Sequence, residues 1–389
     1  MAKKMSKIRD IRFLLSIVGI MSVTCCQNDS MEPSEDSQQT TMELVPLSTP
    51  FLDVQRMGTR AEYENNLPKG YIPFDQLYPT TLPEHKTIGV FLTPNRTSSI
   101  GSFVYEGKEE GISKWKSTIR VEPDIQYYIY GFMPREDAES VEINPLNGNY
   151  AEGAILSVNN YKPITAADVC VLVGIRKATA EERITGPTSP VALGNFGYVG
   201  GSAGQNFIFV LLKHIYAGLH FKFHIDSDYH KLRSIKVKHV ELLVKDISEY
   251  VNLTITLTAN DVGDDPLTNV DYSLSSSTIN TSVQLFDNPT GYDVPEVAPE
   301  GDPEGFLACF VPSSCYNFVL RTTYDVYDSK GNLIRESCVA ENQINRDIIP
   351  ELELLNAGDA LTVDMFIKPT YLHVLSDPDL DNPTIKPTL

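Results

Sequence analysis

From Thr87 onward the chain is a procession of short apolar runs broken by turn residues. Ile88–Thr93 is apolar and stops at Pro94, and Ser102–Tyr105 follows. Trp115–Val121 alternates, with Trp115, Ser117, Ile119 and Val121 on one face and Lys116, Thr118 and Arg120 on the other. Tyr127–Met133, Gly153–Val158 and Val169–Ile175 complete a first series. Pro94-Asn95, Glu122-Pro123-Asp124, Asn147-Gly148-Asn149 and Asn159-Asn160 separate the runs. Short runs with this punctuation predict the strands of a sandwich or barrel, not strand–helix–strand units.

A second series begins after a polar, Pro- and Gly-bearing stretch at 179–206, read as the connection between two domains. It comprises Phe207–Leu212, Ala217–Ile225, Ile235–Val244, Val251–Thr258, Ser282–Phe286, Phe306–Val311, Tyr316–Tyr327 and Leu333–Val339. The alternation of Ile235–Val244 breaks near Val240, as a bulge would make it. Ala360–Ile367 alternates strictly, with Leu361, Val363, Met365 and Ile367 opposite Thr362, Asp364 and Phe366. Only Lys177–Ile184 and Arg346–Asn356 read as helical. The expectation is an all-β protein of two tandem β-sandwiches, 61–205 and 206–389, the second including a C-terminal tail.

The N-terminus has a different pattern. Lys3, Lys4, Lys7, Arg9 and Arg12 precede an apolar run, Phe13–Val23. That run falls short of the ~20 apolar residues that span a bilayer but suits a signal peptide. Val23-Thr24-Cys25-Cys26 has the order of a lipoprotein signal, so residues 1–26 are read as signal plus lipid-accepting Cys26, with Cys25 the alternative. Residues 27–43 are polar, acidic and aperiodic, a disordered tether. A short apolar stretch, Leu44–Val54, is interrupted by Pro46 and Pro50. The loop after it holds Arg60 before Ala61, accessible to an Arg-specific protease, with Arg56 a second such position.

Charge narrows the partners. Fifty-one Asp and Glu against 32 Lys and Arg give a net charge of −19. Nucleic-acid binding needs a basic face, so no nucleic-acid partner is expected.

No catalytic or metal motif is complete in the sequence. Gly200-Gly201-Ser202-Ala203-Gly204 fits the GxSxG of a hydrolase elbow, but Phe207 onward reads as a strand where the elbow needs a helix. The stretch therefore reads as a flexible linker. His214, His220, His224 and His230 fall close together, yet His220 and His224 on one strand lie roughly 13 Å apart, too far to share a zinc ion. Asp377–Asn382 and Asp261–Asp265 resemble fragments of calcium loops; the first lacks the loop's glycine and terminal glutamate. Cys170, Cys309, Cys315 and Cys338 show no CxxC and no metal spacing with His. They read as buried thiols or one or two disulfides, Cys309–Cys315 requiring a turn at Pro312-Ser313-Ser314. No catalytic residue, metal or cofactor is expected.

Taken in order, several segments resemble the fimbrillin family, the type V pilins of Bacteroidales. They are the lipoprotein signal, Thr59-Arg60-Ala61 before Ile88-Gly89-Val90-Phe91, the aromatic strand Tyr128–Met133 ending at Pro134, Phe209–Leu219, and Leu355–Asp359 before Ala360–Pro369. The resemblance implies two transthyretin-like sandwiches and a precursor lipidated at Cys26 and carried to the outer membrane. It further implies cleavage after Arg60 by a trypsin-like protease, with residues 27–60 removed. The released strand would leave a groove for a strand of a neighbouring pilin subunit, with Leu361, Val363, Met365 and Ile367, or Tyr371–Leu375, as donor. A surface fimbrium and adhesion follow as location and role. The chain departs from that pattern after Pro369, where the 20-residue tail holds Pro378, Pro383 and Pro387, poor material for a ladder. That departure leaves room for a tip or minor subunit. A glycan-binding surface lipoprotein, with Trp115 in an exposed aromatic patch, is the alternative reading.

Overall fold

The computed structural model describes the strand backbones at 40–48, 52–53, 72–73, 87–93, 99–109 and 112–119. It describes residues 120–367 more fully, apart from 186–187, 189–190, 192, 260–264, 296–304 and 313–316 and a few side chains. Residues 38–389 form one unit. The strands run in chain order as β1 (Thr40–Ser48), β2 (Leu52–Asp53), β3 (Ile72–Pro73), β4 (Thr87–Thr93), β5 (Ser99–Glu109), β6 (Ile112–Val121) and β7 (Gln126–Met133). Next come β8 (Ser140–Pro145), β9 (Gly153–Tyr161), β10 (Ile164–Thr165), β11 (Cys170–Lys177), β12 (Gly197–Val199), β13 (Phe207–His214) and β14 (Ala217–Ile225). The remainder are β15 (Arg233–Ser248), β16 (Val251–Thr258), β17 (Leu267–Leu274), β18 (Thr278–Asp293), β19 (Phe306–Phe310), β20 (Phe318–Asp328), β21 (Leu333–Ile344) and β22 (Asp359–Ile367). The fold class is all-β, as the punctuated apolar runs predict.

The first sheet has the order β11-β13-β1-β6-β5-β4-β7-β12, and β11 pairs with β7 as well. That extra pairing, Cys170 opposite Met133 and Val171 opposite Phe132, closes seven strands into a ring. Closure leaves these strands no free edge, which is one way a β-protein avoids edge-to-edge association. A four-stranded sheet, β17-β16-β9-β8, packs against it. The shared core takes Tyr130, Phe132, Tyr161, Phe196 and Phe209, all nearly inaccessible, with Leu253 and Ile255 from β16.

The second core lies between the five-stranded β10-β19-β14-β22-β2 sheet and the four-stranded β18-β15-β20-β21 sheet. Phe221, Phe306, Phe310, Val237, Leu242 and Leu361 fill it. In β15 the buried positions are Ile235 and Val237, then Val240, Leu242 and Val244, then Ile247. Register shifts at Val237/His239 and Val244/Ile247 explain each change of phase. A bulge inserts one residue, so the inward face moves from odd to even positions without leaving the core.

Several local expectations change. The first core takes buried residues up to Tyr216, and β16 crosses back to pair with β9, with β17 beside it. Lys177 ends a strand, and helix is confined there to one turn at Glu182–Thr185. The helix expected at Arg346–Asn356 is a 3-10 segment, Pro350–Leu354. Residues 40–43, read as tether, begin β1.

The described residues of the 179–206 stretch are pinned by hydrogen bonds. Glu182 accepts two hydrogen bonds from the Arg176 guanidinium at 3.1 and 2.9 Å, and further ones from Thr179 and Thr188. The Arg176 guanidinium holds this carboxyl well below the usual carboxylate range. Arg176 itself lies 5.0 Å above the Phe209 ring of β13, a cation–π contact.

Candidate functional site

The segment with the most distinctive setting is β1. Its residues Glu43–Ser48 pair parallel with Phe207–Leu212 of β13. On its other edge, Thr40, Thr41, Glu43 and Leu44 pair antiparallel with β6, and Leu47 and Ser48 with β3. It therefore fills the seam between β13 and β6 that completes the ring. β13 suits a place inside a sheet: Phe207–Leu212 are apolar and buried on both faces, as a near-continuous apolar run must be. A strand pair with parallel direction cannot be made by a tight hairpin; the partner has to come from far along the chain. Here it comes from the N-terminal side of Arg60.

β2, from the same N-terminal segment, pairs parallel with Asp359 and Ala360 at the start of β22. β22 in turn pairs parallel with β14 along Gly218–Ile225. Of the expected exchange residues, Leu361 and Val363 are buried in the second core of their own chain. Met365 packs beside them, and Ile367 holds register opposite Ile225. Cys25, Cys26, Arg56, Arg60 and Ala61 lie outside the described residues, as do Cys315, Tyr371–Leu375, Asp377–Asn382 and the side chain of Trp115.

Ser202 sits in a turn between two strands, β12 and β13, and not between a strand and a helix. Asn206 organises that turn: its side chain accepts from Gly201 N at 2.8 Å and donates to Gly201 O at 3.1 Å. Gly200 packs so tightly on the Glu122 carbonyl that a Cβ would come within 1.9 Å of it. This is turn architecture, not a nucleophile elbow. His220 and His224 share β14 as expected; His224 meets Asp364 of β22 at 3.0 Å. Burial pushes the His220 imidazole down to about 4.

One cluster was not legible from spacing. Asp168, Cys170 and His214 converge where β11 starts and β13 ends, because Cys170 and His214 are register partners. Asp168 Oδ1 lies 2.7 Å from His214 Nδ1 and 3.3 Å from Cys170 Sγ, and the last two atoms are 3.4 Å apart. All three residues are at least 95% buried (5%, 0% and 1% exposed). Burial and the neighbouring Asp168 push the Cys170 thiol well up. Burial does the same to Cys309, which also feels Asp168. Cys170, Cys309 and Cys338 are free thiols.

Similar solved structures include fimbrial proteins from Bacteroides species and from Porphyromonas gingivalis. One is a fimbrial protein from Bacteroides ovatus, 7% identical, covering 85% of this chain and 50% of that one, with TM-score 0.29. Another is a fimbrial protein from Bacteroides vulgatus, 9% identical, covering 84% and 95%, with TM-score 0.26. A third is the fimbrial anchor protein Mfa2 from Porphyromonas gingivalis, 10% identical, covering 87% and 93%, with TM-score 0.24. At these identities and scores the likeness assigns no function. No protein-family model and no curated protein sequence matches the chain.

Proposed function

We propose that this chain is a fimbrillin-like subunit of a cell-surface pilus, exported as a lipoprotein through Cys26 and matured by cleavage between Arg60 and Ala61. Its role is structural and adhesive, with no catalytic step. One observation carries the reading: the strand that completes the closed sheet, β1, lies wholly N-terminal to Arg60 and is held parallel to β13. One cut would free β1 and β2 together. The seam left behind would present two unpaired strand edges, on β13 and β6, and buried backbone groups without partners are costly. A strand from a neighbouring subunit satisfies both edges at once, which is strand addition in its strongest form.

The donor would be the C-terminal strand around Leu361, Val363, Met365 and Ile367, or the tail beyond it. Since Leu361 and Val363 are buried at home, donation by β22 requires it to leave β14 first. The deciding experiment is the N-terminal sequence of protein sheared from the cell surface. Ala61 as first residue supports maturation and an open seam. A blocked, lipidated Cys26 on all of the surface protein overturns the cleavage step and leaves an anchored lipoprotein.

A further inference from the structure

We infer that Asp168, Cys170 and His214 form a structural site for a zinc-class divalent cation. The inference is independent of strand exchange and survives its failure. Three observations carry it. The donor set is mixed carboxylate, thiol and imidazole, the set that suits zinc and not calcium or magnesium. The three donor atoms form a triangle with sides of 2.7, 3.3 and 3.4 Å. A point at zinc bond lengths of about 2.0–2.3 Å from all three corners exists just off its plane. Tetrahedral coordination would widen the Asp168–His214 separation by about 0.6 Å, a rotamer-scale adjustment.

The third observation is Asp168 Oδ2, which is buried with no hydrogen-bond partner among the described residues. A carboxylate nearly inaccessible to water needs a compensating charge or full hydrogen bonding. A bound cation supplies that charge through the carboxylate as a whole. The cation would therefore pin the start of β11 to the end of β13, where Cys170 and His214 are register partners. With all three donor residues at least 95% buried, the metal would load during folding.

The test uses the full chain, folded with zinc, with cobalt(II) or with a chelator. The expected results are one equivalent of zinc retained through gel filtration and a Tm at least ~5 °C above that of chelator-folded protein. The cobalt form should show a thiolate-to-metal charge-transfer band and the intense visible bands of a tetrahedral site. Cys170→Ser should remove the charge-transfer band, and His214→Gln should lower zinc retention at least tenfold. A wild-type chain that folds metal-free with the same Tm overturns the proposal without recourse to any variant. So does a charge-transfer band that survives Cys170→Ser unchanged, because the metal would then sit elsewhere.

Discussion

Two strands of this protein, β1 and β22, enter antiparallel neighbourhoods from near the ends of the chain, and both do so in parallel. β1 pairs with β13 and β22 with β14, strands adjacent in sequence. Their settings differ in one respect. β1 has partners along both edges and closes a ring. β22 has β14 along its length on one edge, while β2 covers only Asp359 and Ala360 on the other. The difference teaches which seat can act as a selective acceptor. An emptied β1 seat presents two converging edges and accepts one strand. An emptied β22 seat presents a single edge beside a core, and would collapse or aggregate before it selected anything. Both pairs join residues far apart in sequence, so each carries a high loop-closure cost and should form late in folding.

The largest effect is expected from a chain that begins at Ala61. Loss of β1 removes the ladder bonds to both β13 and β6. At roughly 1 kcal/mol net for each, the first core should lose several kcal/mol. A synthetic peptide spanning Thr40–Ser48 should bind this chain and restore its thermal midpoint, whereas a sequence-scrambled peptide should not. A truncated chain with unchanged midpoint and no peptide binding breaks the comparison, because the seam would then have healed without its strand.

Next is Leu361→Ala in β22. Leu361 is inaccessible and surrounded by the second core, so the truncation should cost roughly 2–5 kcal/mol. Urea unfolding followed by tyrosine fluorescence measures it. A loss below about 1 kcal/mol would mean that β22 is loosely seated and easily donated.

Glu182→Gln should cost roughly 2–3 kcal/mol, because it leaves the Arg176 guanidinium half-buried without its carboxylate. Arg176 packs on Phe209 in β13, so the loss should appear at the β1 seat. Hydrogen exchange along β13 should rise in this variant while exchange along β14 stays unchanged; a uniform rise along both would show that the two seats are not separable.

Much of this architecture was written in local pattern. Ala217–Ile225 and Val251–Thr258 are strands to the residue, since alternating β-branched and aromatic residues leave little choice. The break near Val240 was legible too, because a bulge displaces the apolar phase. What pattern could not carry was partnership. β8 and β17 are polar-rich edge strands of their sheet, so their apolar signal is weak. Residues 40–43 look like tether because only the ladder, not side-chain alternation, marks them as strand. The 179–206 stretch looks like linker because Glu182 and Asn206, the residues that fix it, are polar. Asp168, Cys170 and His214 form no sequence motif: register across the β11–β13 ladder brings together residues over 40 positions apart.

The smallest effect separates the two seats by pH. His220 lies on β14 opposite Thr362 of β22. Burial, with Lys222 nearby, lowers its pKa from 6.5 to about 4, and Asp364 offsets this only in part. In the unfolded chain the imidazole binds its proton near pH 6.5, while in the folded chain it resists until near pH 4. The unfolded state therefore binds more protons between these values, and stability falls as pH falls through that window. Allowing for partial exposure of the ring, the loss should be about 1–2 kcal/mol at the β22 seat. The Glu182 carboxylate acts at lower pH. Its folded pKa is depressed, so its contribution is full above the ordinary carboxylate range, near 4.5, and fades only as pH drops below it. Between pH 6.5 and 5, then, β22 should loosen while β1 holds. Hydrogen exchange measured at both pH values should show β14 amides opening first, and His220→Gln should abolish the shift. If β13 opens first, or the variant behaves like wild type, His220 is not what distinguishes the two seats.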